Sequence, residues 1–323
     1  MNQRDVLKKG VFLDVDSVRP EDLDFSLLHQ QLEQLDLMSI SRLDEIKENI
    51  SSYDVIITNK VFLDRLLLTQ CKNLRLICVA ATGTNNVDLQ AARELGIRVC
   101  NVTAYATASV VQHVFALLLA LQTRLVEIRD GVLQGEWMQS KYFSLLDYPV
   151  HELAGKTLGI VGYGELGQAV ASVARAFGMQ VLIARRNEHD DRPGRIDLKD
   201  LLSQVDVLSL HCPLTDETRD LIDEQALKSM KPTALIINTA RGGIINEAAL
   251  LNALEHRQIG GAGIDVLVNE PPVDNHPLLK QQLPNLIVTP HVAWASQESR
   301  QRLIDGVALN IKAFNEGTER NLV

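Results

Sequence analysis

Short apolar runs alternate with amphipathic segments along the whole chain. In the first hundred residues, runs with strand character cover Gly10–Val15, Asp54–Thr58, Leu74–Ala80 and Arg98–Asn101. Segments with helical spacing lie between them, near Phe25–Leu35, Asp64–Gln70 and Leu89–Leu95. Strands that alternate with helices are typical of a parallel sheet with crossover helices. The pattern therefore predicts a small α/β domain at the start of the chain.

A second alternating system begins at Thr157. Its predicted strands are Thr157–Val161, Gln180–Ile183, Val207–Leu210, Ala234–Asn238, Gly261–Asp265 and Leu286–Val288. Six parallel strands are the number expected of a dinucleotide-binding fold, and six or more are predicted here.

Two helices stand outside this alternation. The segment Ala108–Arg129 is apolar nearly all round, which predicts a buried helix. The final helix, about Ser296–Phe314, has no following strand and is expected to pack back onto the first domain. We therefore expect a discontinuous substrate domain over residues 1–101 and 293–323, a dinucleotide-binding domain over residues 102–292, and an active site in the cleft between them.

The strand at Thr157 ends in three glycines, Gly162, Gly164 and Gly167, followed by a helical segment. In this spacing the first glycine permits a tight turn, the second lets a phosphate approach the backbone, and the third lets the helix pack on the strand. The free amides at the start of the helix then face the anion. The context predicts that a dinucleotide binds here.

Composition narrows the function classes. The 323 residues carry a net charge of −9 and contain no block of basic residues, so nucleic acid is not an expected partner. The N-terminus lacks the apolar core of a signal peptide, and no apolar run approaches the length of a membrane span. A cytoplasmic protein without a membrane partner is expected. The four cysteines lack ligand-like spacing, so no metal site is predicted.

The residues that follow the second strand of the dinucleotide fold bear on the choice of cofactor. An acidic side chain usually binds the ribose 2′-hydroxyl of NAD(H) there, but this chain has Arg185 and Arg186. Arginine is a natural partner of phosphate, so NADP(H) is favoured and NAD(H) stays possible. Two alternatives remain: both arginines lie on a solvated strand end, or Glu188 reaches the ribose.

Three later strands each end beside one chemically capable side chain: Arg241, Glu270 and His291. Reduction of a 2-keto acid needs a cation for the carboxylate and ketone, a proton donor, and a carboxylate that keeps the donor protonated. Arg241, His291 and Glu270 match these roles in that order. Singly, each has an ordinary alternative: a surface arginine, a loop histidine and a helix cap. At three strand ends of one sheet, the catalytic interpretation is favoured.

Further positions are weaker candidates. Asp265 ends the fifth strand, where its carboxylate is expected to accept from the nicotinamide carboxamide. His211 is interpreted as part of the cofactor wall, and His113 as a packed core residue. In the first domain, the amides around Thr82 and Gly83 are candidates for the substrate carboxylate; the alternative is an ordinary connection capped by Asp88.

These motifs resemble the D-isomer-specific 2-hydroxyacid dehydrogenase family over essentially the whole chain. The glycine loop, the Asn-Thr-Ala-Arg-Gly-Gly segment at Asn238–Gly243, the Glu270-Pro-Pro segment and Pro290-His291 occur in the order of the family. Within it, the segments Ala80–Asp88 and His291–Trp294 are similar to those of bacterial glycerate dehydrogenases, also called hydroxypyruvate reductases.

The resemblance implies a flavodoxin-like substrate domain beside the dinucleotide domain, and a homodimer joined through the latter. It implies that Arg241, Glu270 and His291 are catalytic. It also implies that the cofactor is approached by Thr107, Glu165, Leu166, Pro213, Thr218, Thr239, Ala240 and Asp265. The implied reaction is reversible NAD(P)H-dependent reduction of a short 2-keto acid, with hydroxypyruvate to D-glycerate favoured and glyoxylate also plausible.

Three rivals remain open. Another 2-keto acid is one, and a phosphoglycerate- or formate-type substrate is another, although no added regulatory domain is expected after Val323. The third, from a different class, is a nucleotide-sensing binding protein that has lost turnover. The presence of Arg241, Glu270 and His291 favours an enzyme.

Overall fold

The protein is described by a computed structural model over residues 6–39, 50–187 and 189–323. It divides into unit 1, Met1–Ala106 with Trp294–Val323, and unit 2, Thr107–Ala293. Residues 102–106, assigned from the sequence to the second domain, belong to unit 1 because Val102 and Tyr105 pack into its core. Ala293 belongs to unit 2, where its amide donates to Asp265.

Unit 1 contains a five-stranded parallel sheet with strand order β2-β1-β3-β4-β5. This order is that of flavodoxin-like folds. Its strands are β1 (Lys9–Phe12), β2 (Gln34–Leu37), β3 (Val55–Thr58), β4 (Leu76–Val79) and β5 (Arg98–Cys100). Every residue of β3 and β4 is buried, as expected of central strands covered on both faces.

Among the described residues of unit 1, the helices before the second unit are α1 (Ser26–His29), α2 (Arg65–Gln70) and α3 (Leu89–Glu94), and 3₁₀ turns cover Val15–Val18, Pro20–Asp22 and Ile50–Ser52. Asp64 and Asp88 cap α2 and α3 by accepting the amides of Leu67 and Ala91. The long C-terminal helix also belongs to this unit. It runs over Gln297–Glu316, begins at the cap Ser296, and buries Leu303, Val307 and Ile311 against the sheet.

The sequence prediction of a helix over Phe25–Leu35 is wrong beyond His29. The residues Gln34-Leu35-Asp36-Leu37 alternate polar and apolar side chains and pair with β1 as an edge strand. Period-two alternation is a strand signal, and the partner β1 fixes it as one. The amphipathic helical pattern upstream concealed this change of period.

Unit 2 contains a seven-stranded parallel sheet with strand order β12-β11-β10-β9-β6-β7-β8. Its strands are β6 (Thr157–Val161), β7 (Gln180–Ala184), β8 (Arg195–Ile196), β9 (Val207–Leu210), β10 (Leu235–Asn238), β11 (Gly261–Ile264) and β12 (Leu286–Val288). The six predicted strands are all present, and the seventh, β8, has only two residues. The predicted fold class, two parallel-sheet α/β domains, is confirmed.

Three helices of unit 2 precede its first strand β6, and the others lie between the strands. In chain order the helices of this unit are α4 (Thr107–Gln122), α5 (Leu125–Leu133), α6 (Glu136–Gln139), α7 (Glu165–Ala176), α8 (Leu198–Leu202), α9 (Glu224–Ser229), α10 (Glu247–Glu255) and α11 (Pro277–Lys280), so that the C-terminal helix of unit 1 is α12. The predicted continuous helix over Ala108–Arg129 is instead two helices. They meet at a 58° bend, where Arg124 adopts a left-handed conformation with φ of 55°.

Within unit 2, α4 is a core helix. Its side chains Val110, Val114 and Leu118 are buried, and it packs against β10, β11 and α7. Across the described ranges 6–39, 50–187 and 189–323, no individual helix has the length and hydropathy of a membrane span; only α4 and α5, taken as a bent pair, reach those values.

Candidate active site

Three loops with chemically active side chains follow three neighbouring strands. The loop after β10 carries Arg241, that after β11 carries Asp265 and Glu270, and that after β12 carries His291. Because the strands are adjacent and parallel, their carboxyl ends lie at one edge of the sheet. The sequence prediction that the three segments follow strand ends of one sheet agrees with this arrangement.

His291 and Glu270 are in direct contact. The imidazole Nδ1 lies 2.6 Å from Oε2 of Glu270, and Oε1 of the same carboxylate accepts the amide of Leu267 at 2.9 Å. Both side chains are partly exposed. Glu270 does not cap a helix, since the next helix begins only at Pro277. The carboxylate therefore binds its own loop with one oxygen and orients the imidazole with the other.

Arg241 lies at the adjacent strand end and is half-buried. Its Nη1 donates to the carbonyl of Ala240 at 2.7 Å. The side chain of Asn238 shapes this turn, because it accepts the amide of Ala240 at 3.0 Å and donates to the carbonyl of Arg241 at 2.9 Å. The loop that presents the guanidinium is thus fixed by the last residue of β10.

Asp265 is a buried carboxylate that organises the loop of His291. Its Oδ1 accepts the amide of Val292 at 3.0 Å, and its Oδ2 accepts the amide of Ala293 at 2.9 Å. Burial by itself raises the pKa of Asp265, but hydrogen bonds from His113, Thr289 and the two amides outweigh it and hold the pKa below its usual range. The group is therefore a carboxylate at neutral pH.

His113 differs from its prediction as a packed core residue. Its Nε2 lies 2.9 Å from Oγ1 of Thr289 and 3.4 Å from Oδ1 of Asp265. Most residues of α4 around His113 are apolar, so the hydrophobic periodicity by itself predicts that this histidine lies in the core. The one sequence signal that His113 has a polar partner was that it is the single ionisable side chain on a largely apolar helix.

The three glycines of the β6–α7 turn have three different environments. A Cβ at Gly162, where φ is +90°, would lie 2.6 Å from the amide nitrogen of Cys212, and one at Gly167 would lie 2.2 Å from the carbonyl oxygen of Gly162. A Cβ at Gly164 would meet no atom of the described residues within 4 Å. Side chains are thus excluded at Gly162 in the turn and at Gly167 in the contact between helix and strand. Gly164 leaves the space in front of α7 open. This geometry fits a pyrophosphate.

Two buried polar atoms around the same sheet edge also fit a nucleotide. Thr239 Oγ1 and His211 Nδ1 are shielded from solvent and lack a hydrogen-bond partner among the described residues. Buried polar groups are nearly always paired, so these atoms are consistent with a polar ligand. His211 Nε2 is bonded to Ser209 Oγ at 2.8 Å, and burial lowers the pKa of the imidazole to about 4.

The remaining predicted cofactor residues also lie in unit 2. The hydroxyl of Thr107 donates to the carboxylate of Glu165, which together with Leu166 opens α7. The Thr218 hydroxyl donates to the carbonyl of Pro213 at 2.7 Å and closes the turn after β9.

The arginines after β7 lie beside the short strand β8. Arg185 is half-buried, its Nη1 lies 3.3 Å from Oδ1 of Asp197, and its Nε is buried without a hydrogen-bond partner among the described residues. Arg186 is exposed. Arg195, which sequence analysis missed, lies over the ring of Tyr163 at 4.8 Å from its centroid. Glu188, the alternative ribose ligand, lies outside the described residues.

The candidate substrate loop of unit 1 is held by side-chain and backbone bonds. The Thr82 hydroxyl donates to the carbonyl of Val102 at 3.0 Å, and the carbonyl of Thr82 accepts from Asn101 Nδ2 at 2.7 Å. Asp88 caps α3, as the ordinary interpretation of this connection expected. The roles of Thr82 and Gly83 toward a substrate stay predictions.

Comparison with known proteins decides the family. A model of the NAD-binding domain of the D-isomer-specific 2-hydroxyacid dehydrogenases matches residues 115–293. This chain belongs to that family. It is 45% identical over 316 residues to a glycerate dehydrogenase of Methylorubrum extorquens, covering 98% of this chain and 99% of the relative.

Other members of the D-isomer-specific 2-hydroxyacid dehydrogenase family agree with this assignment. A hydroxypyruvate reductase of Blautia hydrogenotrophica is 38% identical over 321 residues, with 98% and 99% of the two chains covered. Among solved structures, the D-lactate dehydrogenase of Aquifex aeolicus, complexed with NAD and lactic acid, superposes with a TM-score of 0.79 at 29% identity over 96% of each chain. The chain is thus an oxidoreductase of the D-isomer-specific 2-hydroxyacid dehydrogenase family and uses a nicotinamide dinucleotide. The family assignment made from the sequence is confirmed.

Proposed function

We propose that this protein catalyses the reversible reduction of hydroxypyruvate to D-glycerate, with glyoxylate as a second substrate. The observation that carries the proposal is the 2.6 Å contact between His291 Nδ1 and Glu270 Oε2 at the strand end next to Arg241. The relatives named as glycerate dehydrogenase and hydroxypyruvate reductase, which align over nearly the whole chain, support this choice of substrate.

When bound, the nicotinamide cofactor supplies a hydride to C2 of the keto acid, and the residues of the chain do the rest. Glu270 holds Nδ1 of His291, so the opposite nitrogen, Nε2, is the one that donates a proton to the carbonyl oxygen as it gains charge. The carboxylate also stabilises the imidazolium form of the donor. Arg241 binds the substrate carboxylate and polarises the ketone. The amides near Thr82 and Gly83 of unit 1 are proposed to bind a substrate carboxylate.

The glycine turn and the start of α7 are proposed to hold the pyrophosphate. Thr239 Oγ1 and His211 Nδ1 would gain partners from the bound nucleotide. Thr107, Glu165, Leu166, Pro213, Thr218 and Ala240 are proposed to line it, and Asp265 to lie beside the nicotinamide.

The preferred cofactor is proposed to be NADPH. Arg185 and Arg186 follow β7, and Arg195 begins the neighbouring strand β8. The buried Nε of Arg185 has no partner among the described residues. A ribose 2′-phosphate is the anion that such a group would bind. Asp197 already faces Arg185, so the phosphate would compete with this carboxylate.

Initial rates of hydroxypyruvate reduction, measured with NADPH and with NADH, test the substrate and the cofactor together. A preference for NADPH of about tenfold in kcat/KM corresponds to about 1.4 kcal/mol. Arg185→Ala should lower kcat/KM with NADPH and leave the value with NADH nearly unchanged. Asp197→Asn is the complementary variant and should increase the preference for NADPH. A preference for NADH in the wild type would discard the arginine argument and keep the enzyme class.

His291→Asn separates the enzyme from a nucleotide-binding protein without turnover. As a dehydrogenase, the variant should lose most of its turnover and keep its affinity for the nucleotide. Wild-type protein that binds NADPH tightly but reduces neither hydroxypyruvate, glyoxylate nor other 2-keto acids would favour the binding protein.

A homodimer formed through unit 2 is proposed as the assembly. Between α5 and Val150 the chain exposes large apolar side chains, among them Met138 (86%), Phe143 (93%) and Leu146 (82%). Monomeric proteins rarely expose apolar side chains at this density. Sedimentation equilibrium should give twice the chain mass, and Phe143→Glu should shift the equilibrium toward the monomer; a monomeric wild type at micromolar concentration would contradict the proposal.

A further inference from the structure

A chain of hydrogen bonds links the core helix α4 to the loop of His291. His113 Nε2 lies 2.9 Å from Thr289 Oγ1, and Thr289 Oγ1 lies 2.5 Å from Asp265 Oδ1. All three residues belong to unit 2. The series of hydrogen bonds therefore begins at His113 on α4, passes through Thr289 after β12, and ends at the carboxylate of Asp265 after β11.

The direction of these bonds follows from the chemistry of the groups. Asp265 is a carboxylate and only accepts, so the single hydroxyl proton of Thr289 points to Oδ1. The Thr289 oxygen then has only lone pairs left for His113. His113 must donate from Nε2, which fixes its proton on that nitrogen.

Asp265, the last residue in this series of hydrogen bonds, holds the backbone around His291. Asp265 accepts the amides of Val292 and Ala293, and its own carbonyl accepts the amide of His291 at 2.8 Å. A second bond from α4 reaches the same loop, because Ser109 Oγ donates to the carbonyl of Ala293 at 2.7 Å. His291 itself has φ of 53°, a left-handed conformation that is costly for a residue other than glycine. Fixed neighbours are needed to keep it there.

We propose that His113 is a positioning residue for the reaction: through Thr289 and Asp265 it fixes the loop that presents His291 to the substrate. This inference rests on the proposed role of His291 as the proton donor. His113 donates one hydrogen bond that orients Thr289, Thr289 orients one oxygen of Asp265, and Asp265 holds the two amides that follow His291. Loss of His113 removes the donor that orients Thr289 and the 3.4 Å contact of Nε2 with Oδ1 of Asp265, so the carboxylate is held less firmly and the loop loses part of its fixed geometry.

The donor at Nε2 is the testable element, because glutamine places an amide nitrogen near the position of histidine Nε2 while leucine fills the space without a donor. His113→Leu should lower kcat for keto-acid reduction at least tenfold and change the dissociation constant of the nucleotide less than threefold. His113→Gln should restore kcat to within about threefold of the wild type. Gln122→Met, a buried polar position at the other end of α4, is the matched control and should leave kcat unchanged.

Coupling gives a second test. If His113 acts through Thr289, Thr289→Val should lower kcat as His113→Leu does, and the double variant should be no slower than the slower single variant. Multiplicative effects of the two substitutions would overturn the proposed chain. A kcat for His113→Leu within twofold of the wild type, or a His113→Gln variant as slow as His113→Leu, would overturn it as well.

A readout without turnover separates this inference from the proposed reaction. In protein labelled with ¹⁵N-histidine, correlation spectra assigned with His113→Gln and His291→Asn should show His113 protonated at Nε2. Thr289→Val should shift the resonances of both His113 and His291, whereas Gln122→Met should shift neither. Unshifted His291 resonances in Thr289→Val would overturn the inference even in an active enzyme. Shifted resonances in a protein that reduces no keto acid would support the chain of bonds and reject the proposed reaction.

Discussion

Gly242 lies so close to Leu267 that a Cβ at position 242 would stand 2.0 Å from the carbonyl oxygen of Leu267. These two residues bring the loop after β10 against the loop after β11. Gly242 follows Arg241, and the amide of Leu267 binds the carboxylate of Glu270. A side chain at position 242 would therefore separate the two loops that carry the guanidinium and the carboxylate.

Substitution of Gly242 tests this contact. Gly242→Ala should lower kcat/KM for keto-acid reduction at least tenfold, because the methyl group meets backbone atoms that cannot rotate away. The melting temperature should fall as well, so activity is to be measured well below it. Wild-type activity in a folded Gly242→Ala variant would show that the two loops do not have to touch.

Gly164, unlike Gly242, has room for a side chain in the protein without nucleotide. A Cβ there meets no atom of the described residues within 4 Å, and the backbone conformation is open to any residue. Gly164→Ala should keep its melting temperature without nucleotide and bind NADPH at least tenfold more weakly, because the methyl group would occupy space needed by phosphate. Calorimetric titration measures this. Unchanged affinity would remove Gly164 from the proposed phosphate site.

His211 should make the protein sensitive to mild acid. Its folded-state pKa is about 4, and an unfolded histidine titrates near 6.5. The stabilising contribution is complete above pH 6.5 and is lost as the pH falls toward 4, since the unfolded chain then binds a proton that the folded protein excludes. Between pH 7.5 and 4.5 this one group should remove about 2 kcal/mol of unfolding free energy.

Urea unfolding of the nucleotide-free protein at the two pH values checks this expectation. His211→Asn should lose less stability between them than the wild type by about that amount. An equal loss in both proteins would mean that the ring is protonated in the folded state.

Asn310 should be a stability determinant of unit 1. Its buried side chain donates to the carbonyl of Asn101 at 2.8 Å and accepts from Arg320 Nη1 at 2.5 Å, which joins α12 to the C-terminal residues. Asn310→Ala should cost about 2 kcal/mol of unfolding free energy, because a buried carbonyl loses its donor. Denaturant unfolding measures the loss, and Lys312→Ala on the exposed face of the same helix is the control. Equal stabilities of the two variants would contradict this role.

The sequence by itself determined the class of the fold and indicated the residues of the candidate site. Apolar runs separated by helical segments gave ten of the strands, because burial on both faces of a parallel sheet requires continuous apolar residues. The spacing of Gly162, Gly164 and Gly167 indicated the nucleotide turn, since each glycine answers a local steric demand. Arg241, Glu270 and His291 were predicted as the catalytic set because each lies in the loop that follows a strand.

Tertiary structure alone decided the rest. β2 and β8 are edge strands of four and two residues, too short for their own pattern to decide, and pairing with a neighbour fixes them as strands. The proposed role of His113 depends on atoms distant in sequence. Thr289 and Asp265 are 24 positions apart, and His113 is 176 positions from Thr289. A hydrogen bond between such residues leaves no periodicity in the chain, because it depends on the register of the folded sheet and helix.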